Sequence, residues 1–331
     1  MSCFQFIDAE RANHPVARLC RVLEVSRSGF YAWQGRPLSA RSCSDRQLAM
    51  RIGEAHEQSR RTYGAPRIHA VLARAGTQVA RKRVARLMKQ AGIEGVSRRR
   101  GRRSLTKANP AAPKAPDRVG RRFFADGPNQ LWVTDITYIA TSEGWLYLAI
   151  VVDMFSRRIV GWSMRDDLTA PLVVDALDMA TTRRRPDPGC IAHSDRGAQY
   201  TSVIYGQALA THGLAASMGK RGCAYDNAAC ESVMSTIKSE IDTINRGRPH
   251  PGRRAARLAV FDYIEAFYNR LRLHSALGYL SPEEFEQLHA DETQPVEMPA
   301  RGQAQGPDPS PWTALRADHI TTGPTTTGSA G

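Results

Sequence analysis

The chain has 331 residues, enough for two or three domains, and carries 46 Lys and Arg against 32 Asp and Glu, for a net charge of +14. Six scattered cysteines (Cys3, Cys20, Cys43, Cys190, Cys223, Cys230) with no Cys-x-x-Cys pair argue against a zinc finger or a disulfide scaffold and suit a reducing cytoplasm. With no secretory signal pattern and no membrane-length apolar run, a cytoplasmic protein is expected.

The charge is concentrated. Between Arg60 and Lys107 stand fifteen Lys and Arg against one acid, Glu94, while the remaining 31 bases and 31 acids cancel. A polyanionic partner is therefore expected to meet that segment.

In chain order, residues 1–44 are expected to be helical, with short helices at 14–23 and 26–33. Pro15 suits a first helical turn and Ser26 a cap. The pair reads either as a helix-turn-helix or as an ordinary helical hairpin. A second, basic helix-turn-helix unit is expected over 45–96, with helices at 47–56, 66–73 and 81–89. In its third helix Val84, Leu87 and Met88 form an apolar back at i, i+3, i+4. Arg81, Lys82, Arg83, Arg86 and Lys89 fill the other faces with no neutralising acid in that segment, which suits groove or phosphate contact. Residues 97–120 form a basic, proline-containing linker with Arg98, Arg99 and Arg100. It is expected to follow DNA phosphates and to make binding salt-sensitive.

From 121 to 290 the pattern becomes α/β. Apolar runs at 131–140, 145–152 and 158–164 are close enough for hairpin connections. A helix at 169–182, a strand at 189–193, a helix near 201–212, a strand at 214–218 and a helix opening at 225–228 follow. Three antiparallel strands followed by alternating helix and strand predict a mixed five-stranded sheet flanked by helices, after an all-α region. Residues 291–331, rich in Pro, Gly, Thr and Gln, are expected to be disordered.

Three acids sit where buried elements meet polar sequence. Asp135 interrupts the first apolar strand, Asp195 ends a later one, and Glu231 lies on the last helix of that run. Carboxylates from three elements make sense as ligands of divalent cations, since hard Mg²⁺ takes oxygen donors and leaves room for substrate phosphates. Without a cation such a cluster repels itself. Asp153 could by position be a fourth ligand, but a turn-capping or arginine-pairing role suffices. Asp226 reads as a helix cap, and His193 as structural, because no G-x-S-x-G elbow is present. His274 and Ser275 are expected on a C-terminal helix, in packing or in contact with a DNA backbone.

The motifs Trp132-Val133-Thr134-Asp135-Ile136-Thr137-Tyr138, His193-Ser194-Asp195-Arg196-Gly197 and Asp226-Asn227-Ala228-Ala229-Cys230-Glu231-Ser232 together resemble the bacterial insertion-sequence transposases of the IS-three family. The likeness is to the catalytic product of the family's second reading frame, which shares its core with retroviral integrases. Val152-Asp153-Met154-Phe155-Ser156-Arg157-Arg158, Tyr268-Asn269-Arg270-Leu271-Arg272-Leu273-His274 and Thr62-Tyr63-Gly64-Ala65-Pro66-Arg67-Ile68 extend it over roughly residues 5–290. The resemblance implies a ribonuclease-H-like core with Asp135, Asp195 and Glu231 as catalytic metal ligands. It also implies two Mg²⁺ (or Mn²⁺) ions with DNA bound, and 3′-end cleavage and strand transfer of the element's DNA.

Lys238, on the helix face of Asn227 and Glu231, is expected to contact the terminal DNA, as its counterpart does in similar integrases, with Lys220 and Arg221 as a basic lip. Expected partners are double-stranded DNA (insertion-sequence ends and target), further copies of the chain on that DNA, and the first-reading-frame product as fusion or companion. A metal-dependent nuclease on the same core and a catalytically silent DNA-binding regulator are the alternatives. After Glu231 the chain reads Ser232-Val233-Met234 where many relatives carry aromatic residues.

Overall fold

A computed structural model describes residues 2–37, 39–96, 115–120, 122–219, 228–244 and 247–293, without side chains at 228–231, 244 and 291–293. Helices α1 (Cys3–Glu10), α2 (Val16–Val22) and α3 (Arg27–Gln34) close over Ile7, Leu19, Cys20 and Phe30. Helix α1 is absent from the expected elements, although Ser2 and Gln5 form a capping box that was legible as Ser-x-x-Gln.

Helix α4 (Ala40–Gln58) begins seven residues earlier than expected, capped by the Ser39 hydroxyl on the Ser42 amide, and runs across the anticipated boundary at 44/45. With α5 (Ala65–Arg74) and α6 (Arg81–Gln90) it buries Leu48, Ile52, Ile68, Leu72, Val84, Leu87 and Met88. The linker from 97 to 114 and the tail past Thr293 lie outside the described residues.

The sheet is the mixed five-stranded one expected. Strands β1 (Leu131–Thr141), β2 (Gly144–Asp153) and β3 (Ile159–Arg165) form an antiparallel meander, and β4 (Ile191–Ser194) and β5 (Ala215–Met218) add parallel to β1. The order is β3-β2-β1-β4-β5. Because side chains alternate along a strand, β1 faces two cores. Trp132 packs with helices α7 (Ala170–Arg184) and α8 (Val203–Thr211). Leu131, Val133 and Ile139 pack with α9 (Ala228–Ile244), α10 (Arg253–Phe261) and the π-helical turn Asp262–Tyr268 that continues it.

Two residues fit helices onto the sheet. A Cβ at Gly161 would overlap the Ala176 carbonyl and lie 2.7 Å from Ala180 Cβ, so glycine lets α7 approach β3. Buried Asn269 accepts from the Ile159 amide at 2.9 Å and donates to the Ile159 carbonyl at 3.0 Å, as a neighbouring strand would.

Residues 275–277 form a 3-10 turn rather than the expected helix. Gly278 and Tyr279 have positive φ (63° and 62°), which ends the turn, and His274 pairs back with Leu280. Helix α11 (Pro282–Thr293) follows.

Candidate active site

The register of the parallel pair sets the site. Val133 on β1 lies opposite His193 on β4. Asp135 and Asp195 each come two residues later, Asp195 just past the end of β4, and the charges of both bear on one buried tyrosine. Being odd-numbered on β1, Asp135 shares the side of Val133 and of α9. Both carboxylates are partly exposed.

Their support is polar and defined. Asp195 accepts the Gly197 amide on Oδ1 at 2.9 Å, and Oδ2 takes no hydrogen bond from a described residue. Asp135 Oδ1 accepts the Ile136 amide at 2.8 Å. Beneath both lies Tyr200, whose hydroxyl meets Thr134 Oγ1 at 3.1 Å. Burial first, and then the negative charge of Asp135 and Asp195, hold the Tyr200 phenol far above its ordinary range, so it stays neutral beside the acids. Tyr200 is absent from the residues expected at the site; a tyrosine five residues after a strand-end acid was the available signal.

Helix α9 packs its Val233, Met234, Ile237 and Ile241 against the Leu131, Val133 and Ile139 side of β1. Lys238 Nζ sits 3.7 Å from the centre of the Tyr138 ring, and the chain after α9 returns to bridge His250 with Thr141 further along the strand. The Glu231 side chain lies outside the described set. Lys238 is held by an aromatic face, a cation–π contact that sequence spacing did not indicate.

Lys220, Arg221, Asn227, Arg98, Arg99 and Arg100 lie outside the described residues. Asp153 is remote from the pair: it is fully buried, accepts the Asn129 and Phe155 amides at 2.8 and 3.0 Å, and faces Arg184 at 3.5 Å. His193 is buried, with Nδ1 2.9 Å from Ser217 Oγ, in keeping with a structural role.

The basic unit is less free than its sequence suggests. On α6, Arg83 and Arg86 each reach Asp45 at 2.7 Å, leaving Arg81, Lys82 and Lys89 exposed. Asp45 lies on α4, outside the window that appeared to lack acids. Arg61 pairs with Glu57, Arg60 with Asp262, and Arg74 with Glu284. Arg67 donates to the Leu273 carbonyl at 2.9 Å, and the Tyr63 hydroxyl accepts the Leu273 amide at 2.6 Å. Part of the charge excess therefore fastens the basic unit to itself and to the core.

Next to Leu273, Arg272 donates to both oxygens of Glu240 (2.8 and 2.6 Å), and Tyr263 donates to Glu240 at 2.7 Å. Arg272 and Glu240 are only 2% and 3% exposed, so this network anchors α9 inside the protein. The signal was legible: Glu240 occupies an apolar stripe position three residues after Ile237.

The chain is similar to known transposases and integrase cores. An integrase core domain family matches residues 125–223, a second integrase core family matches 212–282, and an HTH-like domain family matches 44–101. Transposase InsF for insertion sequence IS3A of Escherichia coli (strain K12) is 40% identical over 285 residues, 86% of this chain and 98% of that protein. An uncharacterized 31 kDa protein of insertion element IS600 from Shigella sonnei is 41% identical over 271 residues, 82% of this chain and 98% of that protein. The solved catalytic core domain of BIV integrase aligns with a TM-score of 0.37 and 18% identity, over 50% of this chain and 97% of that one.

Proposed function

The chain belongs to the IS-three family of insertion-sequence transposases, that of IS3 itself, and we propose that it cuts the 3′ ends of its element and joins them to target DNA at Asp135, Asp195 and Glu231. The observation that carries this reading is that the parallel register of β1 and β4, paired at Val133 and His193, puts Asp135 and Asp195 two residues beyond it, both close enough to act on one neutral buried tyrosine.

The donor set is all oxygen, which fits Mg²⁺ or Mn²⁺, and Asp195 keeps one oxygen available. Two such ions, when bound, would activate the attacking hydroxyl and stabilise the leaving 3′ oxygen. The chain's own groups do the rest. The Gly197 amide orients Asp195, Tyr200 and Thr134 form an uncharged floor, and the Arg272–Glu240 pair fixes the helix that carries Glu231. Arg81, Lys82 and Lys89, with Lys238 and the basic residues of the linker and of the loop before α9, hold the duplex. No covalent protein intermediate is required. Homo-oligomers on DNA and the first-frame product are the proposed partners, in the cytoplasm at the nucleoid. No helix among the described residues is long and apolar enough to cross a membrane.

The test is to incubate purified protein with labelled duplexes from the DNA flanking its own reading frame, with Mg²⁺, beside Asp195→Asn. Nicked and joined products are expected from the parent and neither from the variant. Nicks without joining would mean a nuclease, and equal products from both proteins would sink the acid assignment.

A further inference from the structure

The basic segment spends much of its charge on internal pairing, whereas the electrically balanced part of the chain contains arginines that are not so spent. Between Pro15 and Pro37 stand Arg18, Arg21, Arg27 and Arg36 against one acid, Glu24. All five side chains are exposed, and among the described residues none of the four arginines is ion-paired.

The scaffold beneath them is a helix-turn-helix. Helices α2 and α3 are joined by four residues, Leu23 to Ser26, a length typical of that motif. Glu24 takes the left-handed conformation (φ 55°), the Val25 amide closes on the Cys20 carbonyl at 3.0 Å, and Ser26 caps α3 through the Gly29 amide at 3.2 Å. Phe30 and Trp33 turn inward against Phe4, so the apolar core of this unit is already closed. Outward, α3 presents Arg27 and, one turn later, Tyr31, while α2 presents Arg18, Arg21 and Val22. Unpaired cations around one aromatic and one aliphatic side chain suit phosphates and base edges better than an apolar protein groove.

We propose that the N-terminal three-helix unit is a second reader of double-stranded DNA, with Arg27 and Tyr31 of α3 in a groove and Arg18 and Arg21 of α2 on the phosphates. The choice of DNA as ligand rests on the transposase reading above. Only residues 35–39 separate α3 from α4, a span of at most ~20 Å, so the two readers must engage neighbouring stretches of one duplex. The unit would then extend the protein's contact by about one helical turn, ~10 base pairs.

Hydroxyl-radical footprinting of the full chain on duplexes tiled from the DNA flanking its reading frame tests this. Two variants, Arg27→Glu/Tyr31→Ala and Arg18→Glu/Arg21→Glu, change exposed side chains, and circular dichroism should show both folded. Each is expected to lose one block of protection and to bind at least ~10-fold more weakly, with a shallower salt dependence as phosphate contacts disappear. Arg81→Glu/Lys82→Glu should lose a different block. If both N-terminal variants keep the parental footprint and affinity while the α6 variant does not, the inference is wrong and the transposase reading stands. If the parent protects no duplex, both fail.

Discussion

The two ends of the sheet treat their acids in opposite ways. Near the end of β2, Asp153 is 0% exposed and surrounded by donors, and Glu286 is held by Ser156, Arg158 and Arg184 at 2.6 to 2.9 Å. Burial still raises the Asp153 carboxyl above its ordinary range, whereas Arg184 and Arg158 outweigh burial at Glu286 and hold it below. Where β1 and β4 lie side by side, Asp135 and Asp195 are half-buried, and Asp195 has no ion pair among the described residues. Thorough compensation at Asp153 and Glu286, set against an Asp195 with no ion pair among the described residues, fits the proposal that a cation from outside the chain is held beside Asp195. Position on a strand end alone could not separate Asp153 from Asp195; their partners do.

The contrast can be broken experimentally. Its largest expected effect is kinetic: Asp195→Asn should lower nicking at least ~1,000-fold, corresponding to several kcal/mol of transition-state stabilisation, with the unfolding midpoint unchanged. Loss of stability along with activity would make Asp195 a structural acid like Asp153. Next comes Arg272→Ala, which leaves Glu240 buried and unpaired and should cost about 3–5 kcal/mol by urea denaturation. A value near zero would show that α9 is anchored by its apolar contacts alone. Gly161→Ala must push α7 off β3 and should cost about 1–3 kcal/mol, with no change in the footprint on DNA.

The smallest effect is in pH. Burial, reinforced by Arg272, Arg67 and Arg157, holds the His274 imidazole well below its ordinary range, and burial lowers His250 as well. The unfolded chain therefore takes up protons first as pH falls through ~6.5, and stability should decline from that point downward. His274→Gln should flatten this slope, leaving the His250 contribution; an unchanged slope would show that His274 is charged in the folded protein.

Much of this was legible before the fold. The three hairpin strands announce themselves because each is a mostly apolar run and the first two are parted only by the short turn at Ser142-Glu143. The acid pair was legible for a related reason, since Asp135 and Asp195 interrupt or end apolar sequence. What stayed hidden depends on distant partners. Asp45 neutralises arginines 38 and 41 residues away, and Tyr63 closes on a backbone amide 210 residues away. The π-helical turn Asp262–Tyr268 has no simple period, so its buried Tyr263 and Tyr268 did not stand out as a helix face.

The Asn269 amide on Ile159 has one more consequence. An outer strand with open amide and carbonyl groups is a template on which another sheet can grow, and such growth ends in aggregates rather than defined assemblies. By satisfying both groups of Ile159 from within the chain, Asn269 removes that template at the start of β3. Copies of this protein gathered on DNA at high local concentration must then meet through helices and side chains, not by extending one another's sheets at this edge.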